Sequence, residues 1–207
     1  MSTAPDPIAS DHDLRRLSTL THPDPHAFLG AHPAGEFTIL RTLRPDATSV
    51  TAVIGGVDYP MRRQTEDLWV VTVPIADLID YRYRVTYTGS AGGTDTFVVA
   101  DGYRFLPSFG EVDAHLFGEG RHESLWEMLG ARTISYTTPD GTVSGTAFSV
   151  WAPNAHGIAV IGDFDNWQGR MAPMRSVGSS GVWELFIPDI SDGARYKFRV
   201  HGADGVI

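Results

Sequence analysis

The sequence predicts a mostly β protein: two immunoglobulin-like β-sandwich domains, joined by a short helical connector and preceded by a short N-terminal helix. Three observations predict it. Short runs rich in β-branched and aromatic residues recur between turn signals, as in Leu68 to Val73 ahead of Pro74. Tyr81, Tyr83, Val85 and Tyr87 alternate with polar or charged neighbours, the period of a half-buried strand. Finally, three blocks of the first half return in the same order in the second.

Residues 1–21 read as a tail and a helix. The stretch to about Pro7 looks disordered. Ser10 with Asp13 three positions later resembles an N-cap, and Leu14, Leu17 and Leu20 then follow at helical spacing. Pro23 and Pro25 end that helix. Residues 22–107 form the first sandwich, with strands expected over Val50–Ile54 (before the turn Gly55-Gly56), Leu68–Val73, Tyr81–Tyr87 and Thr96–Val99, and a loose turn over residues 89–93. Residues 108–130 break the strand pattern. Helical stretches around Val112–Phe117 and Ser124–Leu129, separated by Gly118 and Gly120, make this the connector. Strand patterning resumes near Thr133, so residues 131–207 form the second sandwich.

The repeat supports this division. Pro45-Asp-Ala with Val53-Ile-Gly55 echoes Pro153-Asn-Ala with Val160-Ile-Gly162. Leu68-Trp with Val73-Pro74 echoes Val182-Trp with Ile187-Pro188, and Tyr81-Arg-Tyr-Arg-Val85 echoes Tyr196-Lys-Phe-Arg-Val200. The offset of about 107 to 115 residues is too long for a solenoid and matches one sandwich domain. Because Pro, Gly and Trp recur in place, two copies of one fold explain the match better than convergence on an alternating pattern.

Composition narrows the function. Hydrophobic residues at 42% and charged residues at 20% describe a globular chain. There is no cysteine, which excludes a disulfide framework and a thiolate zinc site and points to a reducing, cytoplasmic setting. No signal-peptide pattern opens the chain, and no apolar run approaches the roughly 18 residues of a membrane span. Asp and Glu outnumber Lys and Arg by 25 to 16, a net charge of -9 that repels nucleic acid and anionic lipid. A neutral ligand is indifferent to that charge.

The second copy carries Phe148-Ser-Val-Trp-Ala-Pro-Asn154, Gly162-Asp-Phe-Asp-Asn-Trp167, Gly181-Val-Trp183 and Tyr196-Lys-Phe-Arg-Val200. In these it resembles the family-48 type of carbohydrate-binding module that precedes the barrel in branching and debranching enzymes of glycoside hydrolase family 13. The first copy, led by His22-Pro-Asp-Pro-His-Ala-Phe-Leu-Gly30, and the connector Val112-Asp-Ala-His-Leu-Phe-Gly118 resemble the extra N-terminal module of long-form bacterial 1,4-α-glucan (glycogen) branching enzymes of actinobacterial type. The resemblance covers nearly everything after Asp11. It implies a non-catalytic part of such an enzyme, with α-1,4-glucan (glycogen, malto-oligosaccharides) and the catalytic barrel of the same polypeptide as partners, and no cofactor.

The resemblance makes Trp167, with Asn166 beside it, a glucan-stacking position. An indole offers a flat apolar face with a polar edge, suited to a glucose ring. The competing reading is a tryptophan folded back over the sandwich core. Lys197 matches a position that donates hydrogen bonds to sugar hydroxyls, and strand alternation turns it outward with Arg199, though a solvated strand face would look the same. The second aromatic often found beyond this strand is missing at Ala203, Asp204 and Gly205. Trp69, Trp151 and Trp183 lie within strands and are expected in core or interface packing, and Trp126 is expected to pack the connector against a sandwich. No metal site is expected. Pro23 and Pro25 prevent a continuous helix from presenting His22 and His26 together, and Trp167 stands where a calcium loop around Asp163, Asp165 and Asn166 needs an oxygen ligand.

No catalytic residue is expected either. A retaining reaction on an α-1,4 bond needs two carboxyl groups roughly 5 Å apart, which this family carries on a (β/α)₈ barrel of about 250 residues. No alternating βα series is present. Val206-Ile207 looks like a strand cut at its start, so the sequence is expected to be a fragment with an incomplete second sandwich. The alternatives are a free-standing glucan-binding module and a β-sandwich for protein interaction.

Overall fold

The structure is a computed structural model that describes residues 3–78, 80–89, 92–202 and 204–206. Its helix α1 (Asp11–Ser18) begins where the sequence places it. The Ser10 hydroxyl accepts from the Asp13 amide at 3.2 Å and donates to its carboxylate at 2.7 Å. The segment ahead of it is not the disordered start expected. The Thr72 hydroxyl donates to the Pro5 carbonyl, Arg41 donates to that of Pro7, and the Gln64 amide pairs with both backbone groups of Ala9. These side chains satisfy the segment's polar backbone, which hydrophobic periodicity cannot reveal.

Eight strands make the first module: β1 (Gly30–Ala34), β2 (Phe37–Leu43), β3 (Ala47–Ile54), β4 (Val57–Pro60), β5 (Arg62–Arg63), β6 (Leu68–Val73), β7 (Arg82–Thr88) and β8 (Thr94–Val99). They form two antiparallel sheets ordered β1-β2-β6-β5 and β4-β3-β7-β8. The turn expected over residues 89–93 lies partly outside the described residues. The second module holds β9 (Gly130–Thr138), β10 (Gly141–Trp151), β11 (Gly157–Gly162), β12 (Arg175–Ser176), β13 (Val182–Pro188), β14 (Tyr196–Gly202) and β15 (Gly205–Val206). Its sheets are ordered β12-β13-β10-β9 and β11-β14-β15. The two orders correspond strand for strand: β1-β2-β6-β5 to β9-β10-β13-β12, and β3-β7-β8 to β11-β14-β15. Within β15, Val206 pairs with His201, whereas Ile207 lies outside the described residues.

The repeat extends to side chains. Trp69 on β6 and Trp183 on β13 are both buried in the cores of their modules. Each indole N–H donates to the carbonyl of the residue preceding a proline: Trp69 to Arg44, ahead of Pro45, at 3.3 Å, and Trp183 to Ala152, ahead of Pro153, at 3.1 Å. A buried indole must place its one donor, so conserving both tryptophan and proline in the repeat conserves a hydrogen bond.

The connector is helix α2 (Glu111–Gly118) and a 3₁₀ turn, Leu125–Glu127. One expectation about tryptophan fails here. Trp126 is 76% exposed and packs no helix against a sandwich, because the turn is too short to have a buried face. Trp151, expected in the core or at an interface, lies outside the core and is 55% exposed. On β10, Phe148 and Val150 face the core, so alternation sends Trp151 to the opposite face, where its ring meets Phe117 of α2 edge-on at 6.0 Å.

Backbone contacts join the second module to the first and to the N-terminal segment. A Cβ on Gly157 of β11 would lie 1.5 Å from the carbonyl oxygen of Leu20, and one on Gly102 would lie 2.2 Å from that of Phe186. Both glycines exist so that the chains can touch. Around them, the Ser176 amide donates to the Pro23 carbonyl and His201 donates to that of Thr19. Asp101, at 1% exposure, accepts from the hydroxyls of Tyr81 and Tyr83 and from the Tyr103 amide. The Tyr103 hydroxyl in turn reaches the Pro173 carbonyl at 3.1 Å.

Candidate binding site

Strand β11 ends at Gly162, and residues 163–170 form a tight loop before the chain returns to β12. One carboxylate organises it. Asp165 Oδ1 accepts from the amides of Gly162 at 2.9 Å and Trp167 at 3.0 Å, and its Oδ2 accepts from that of Gly169 at 2.8 Å. These charge-assisted bonds hold two consecutive non-glycine residues, Asn166 and Trp167, in the left-handed region at φ 52° and 62°. Such backbone costs on the order of 1–3 kcal/mol per residue and persists only where its surroundings impose it. Here it aims two side chains outward.

Trp167 is 39% exposed, so it is not folded into the core. Its indole N–H donates to Asp163 Oδ1 at 3.1 Å, and Arg195 grips the same carboxylate through two bonds of 3.0 and 3.1 Å. The Arg195 hydrogen bonds hold the Asp163 carboxyl below its usual pKa. The polar edge of the ring is thereby satisfied and its rotation restricted, while part of the ring stays open to solvent. Asn166 is exposed beside it, and its side chain makes no hydrogen bond among the described residues.

Lys197 is exposed on β14, paired in register with Ile161 just ahead of the loop. Tyr196, Phe198 and Val200 turn into the core, as the alternation predicts. Lys197 makes no hydrogen bond or cation–π contact with Trp167 or Asn166 among the described residues. Its neighbour on the same face, Arg199, does meet the loop and donates to the Gln168 carbonyl at 3.2 Å. Gly169, at φ +68°, allows this close seat: a Cβ there would come within 2.7 Å of Ile161 and 3.1 Å of Arg199.

Sequence reasoning missed Arg170. From the end of the loop it crosses to the first module, bonding both carboxylate oxygens of Asp46 at 3.0 Å and Asp67 at 2.6 Å. Its Nε also holds Gln168 at 2.9 Å. The loop carrying Trp167 is therefore fastened to both modules. No local signal marks Arg170, since its partners lie more than 100 positions away. Among the described residues, no cluster of His, Asp or Glu is arranged to hold a metal ion, and no helix is long and apolar enough to cross a membrane.

Comparison with known proteins matches both halves. Residues 10–103 fit the family described as alpha-1,4-glucan branching enzyme GlgB, N-terminal domain, and residues 129–207 fit carbohydrate-binding module 48 (isoamylase N-terminal domain). The chain is 56% identical over 204 residues to the 1,4-alpha-glucan branching enzyme GlgB of Mycolicibacterium paratuberculosis, which covers 99% of this chain and 27% of that protein. It is 57% identical over 201 residues to that of Rhodococcus jostii, covering 97% and 27%. For Nocardia farcinica the identity is 53%, covering 97% and 26%. The chain thus spans about a quarter of the length of these relatives. A solved pullulanase from Paenibacillus barengoltzii, at 24% identity and a TM-score of 0.29 over 44% of this chain and 14% of its own, is too distant to add to this.

Proposed function

We propose that this chain, whose two modules belong to the branching-enzyme N-terminal and carbohydrate-binding-module-48 families, is the glucan-holding N-terminal part of a 1,4-α-glucan branching enzyme of glycogen synthesis, working in the cytoplasm. The observation that carries the reading is Trp167, held in left-handed backbone by Asp165, pinned at its N–H by Asp163, and left open to solvent. Such a ring stacks on the C–H face of a glucose unit, and the exposed Asn166 and Lys197 offer hydrogen bonds to its hydroxyls. One aromatic contact and a few polar ones leave little free energy after the costs of association, so Kd should be roughly 0.1–1 mM. Titrating maltoheptaose into the chain and into Trp167→Ala tests this. Binding should disappear in the variant while the melting temperature stays nearly unchanged. Unaltered binding, or unfolding of the variant, would refute the platform.

Branching would be the work of the whole enzyme, transferring α-1,4-glucan segments to a 6-hydroxyl. The described residues of this chain form antiparallel sandwiches, with no barrel to hold the two carboxyl groups that the reaction requires. Purified chain incubated with amylose should therefore leave the iodine colour unchanged over hours. A shift in colour that survives repurification would contradict this assignment of labour.

A further inference from the structure

A cleft lies on the side of the 163–170 loop that faces the first module. Tyr87 on β7 and Phe97 on β8 form one wall. Phe97 stands in register with Val85, on the inward face of its sheet. The opposing sheet does not extend over it, and Phe97 is 53% exposed. Phe164, Asn166, Gln168 and Arg170 of the loop form the other wall, around a cavity of about 320 Å³. A second cavity of about 240 Å³ shares Tyr87, Phe97, Phe164 and Met171, and extends the space between the modules.

The chemistry of the walls selects a ligand. Tyr87 and Phe97, with ring centroids 6.3 Å apart and planes at 56°, present two apolar faces. The Tyr87 hydroxyl and the Asn166 amide make no hydrogen bond among the described residues and can meet a ligand's hydroxyls, whereas the Gln168 amide is already held by Arg170 and Asp46 and offers its planar face. Arg170 is already neutralised by Asp46 and Asp67, while Asp165 adds further negative charge. An anion is disfavoured there, whereas a neutral polyhydroxylated ring is not. Aromatic faces alternating with planar amides match the alternating apolar and hydroxyl-bearing surfaces of a hexose.

We propose that this inter-module cleft is a second sugar subsite. A glucan chain leaving Trp167 passes Asn166, which belongs to both surfaces, and continues between Tyr87 and Phe97 of the first module and Gln168 of the second. The first module then contributes directly to binding. This rests on the reading of Trp167 as a glucan platform, and the two can be separated by chain length.

The test uses the 207-residue chain, maltotriose and maltoheptaose, with Kd measured for the wild type, Phe97→Ala and Trp167→Ala. The wild type should bind maltoheptaose about fivefold or more tightly than maltotriose, the worth of one added ring contact. Phe97→Ala should lose that gain and keep the maltotriose affinity, and Trp167→Ala should abolish detectable binding of both. Phe97→Leu, which keeps apolar bulk without a flat ring, should repeat the loss, so that unfolding of the alanine variant cannot hide the result. Wild-type affinity for both sugars in the Phe97 variants would overturn the subsite and leave the Trp167 platform standing. Binding that survives Trp167→Ala but not Phe97→Ala would uphold the cleft and overturn the platform. If the wild type bound neither sugar, both readings would fall.

Discussion

Replacing Glu184 with alanine should lower the melting temperature by about 10 °C, the largest effect of any single change proposed for this protein. Glu184 sits in the middle of β13 and is fully buried. Its neighbours Trp183, Leu185 and Ile187 face the core of the second module, so alternation turns the carboxylate to the opposite face, under the connector. There it accepts from the Ser108 amide at 2.6 Å, the Phe109 amide at 2.8 Å and the hydroxyls of Ser108 and Ser149. Arg132 donates to the same Ser108 hydroxyl, and the partly buried Arg175 stands opposite Glu184 in the register of β12 and β13. Alanine would strand the buried Phe109 amide and the partly buried Ser108 amide and leave that cationic surrounding uncompensated. Removing one partner from such a buried network costs about 3–5 kcal/mol, and for a chain of this size each kcal/mol corresponds to about 2–4 °C. Glu184→Gln keeps one carbonyl acceptor but turns an amide donor toward donors, so its loss should fall between alanine and the wild type. A thermal melt of the two variants checks the order. Equal stability of Glu184→Ala and the wild type would show that the connector is not anchored there.

Glu184 also shows where sequence reading stopped. The alternation of a half-buried strand is legible, and it located β6, β7, β13 and β14 to within a few residues. Strand β13 is different because both of its faces are buried: one by its own core, the other by Ala100, Phe105 and the connector. A glutamate inside Val182-Trp-Glu-Leu-Phe-Ile187 looks like the one solvent-facing position of the strand, and it is instead the most buried carboxylate. The same blindness explains Arg170, whose partners come from the other module. Trp167 was legible for the opposite reason. Its surroundings, Gly162 to Gly169, are local, polar and rich in turn formers, so its exposure follows from its immediate neighbours.

The repeat, too, was legible because its signal is chemical as well as periodic. Prolines and tryptophans cannot be exchanged for other residues without losing a carbonyl geometry or an indole donor, and the pairs Trp69 with Arg44 and Trp183 with Ala152 show what they preserve. In the first module, β8 carries the half-exposed Phe97, which lines a cleft together with Phe164 and Asn166 of the second module.

The protein should lose stability as the pH falls from about 6.5, with His26 as the main cause. His26 follows Pro25 in the 3₁₀ turn ahead of β1, with its ring edge-on to Tyr103 at 4.9 Å. Neither ring nitrogen has a hydrogen-bond partner. Burial, reinforced by the nearby positive charge of Arg175, lowers the pKa to about 3. In the unfolded chain the same imidazole titrates near 6.5. The unfolded state therefore takes up a proton that the folded state refuses, and folding weakens throughout the interval from about 6.5 down to about 3. At pH 5 the loss should be about 2 kcal/mol relative to pH 7.5, or several degrees in melting temperature. Burial also lowers the pKa of His22, which adds in the same direction. The carboxyl groups of Asp13 and Asp80, held below their usual pKa by hydrogen bonds from Ser10 and Arg104, destabilise only once the pH nears the carboxylate range. The interval from 6.5 to 5 thus isolates the histidines. Because the His26 ring makes no hydrogen bond, phenylalanine can replace it without stranding a partner. Melting curves of His26→Phe should be nearly flat across that interval, apart from the smaller contribution of His22, and at least as stable as the wild type at pH 7.5. An unchanged pH slope in His26→Phe would place the titrating group elsewhere.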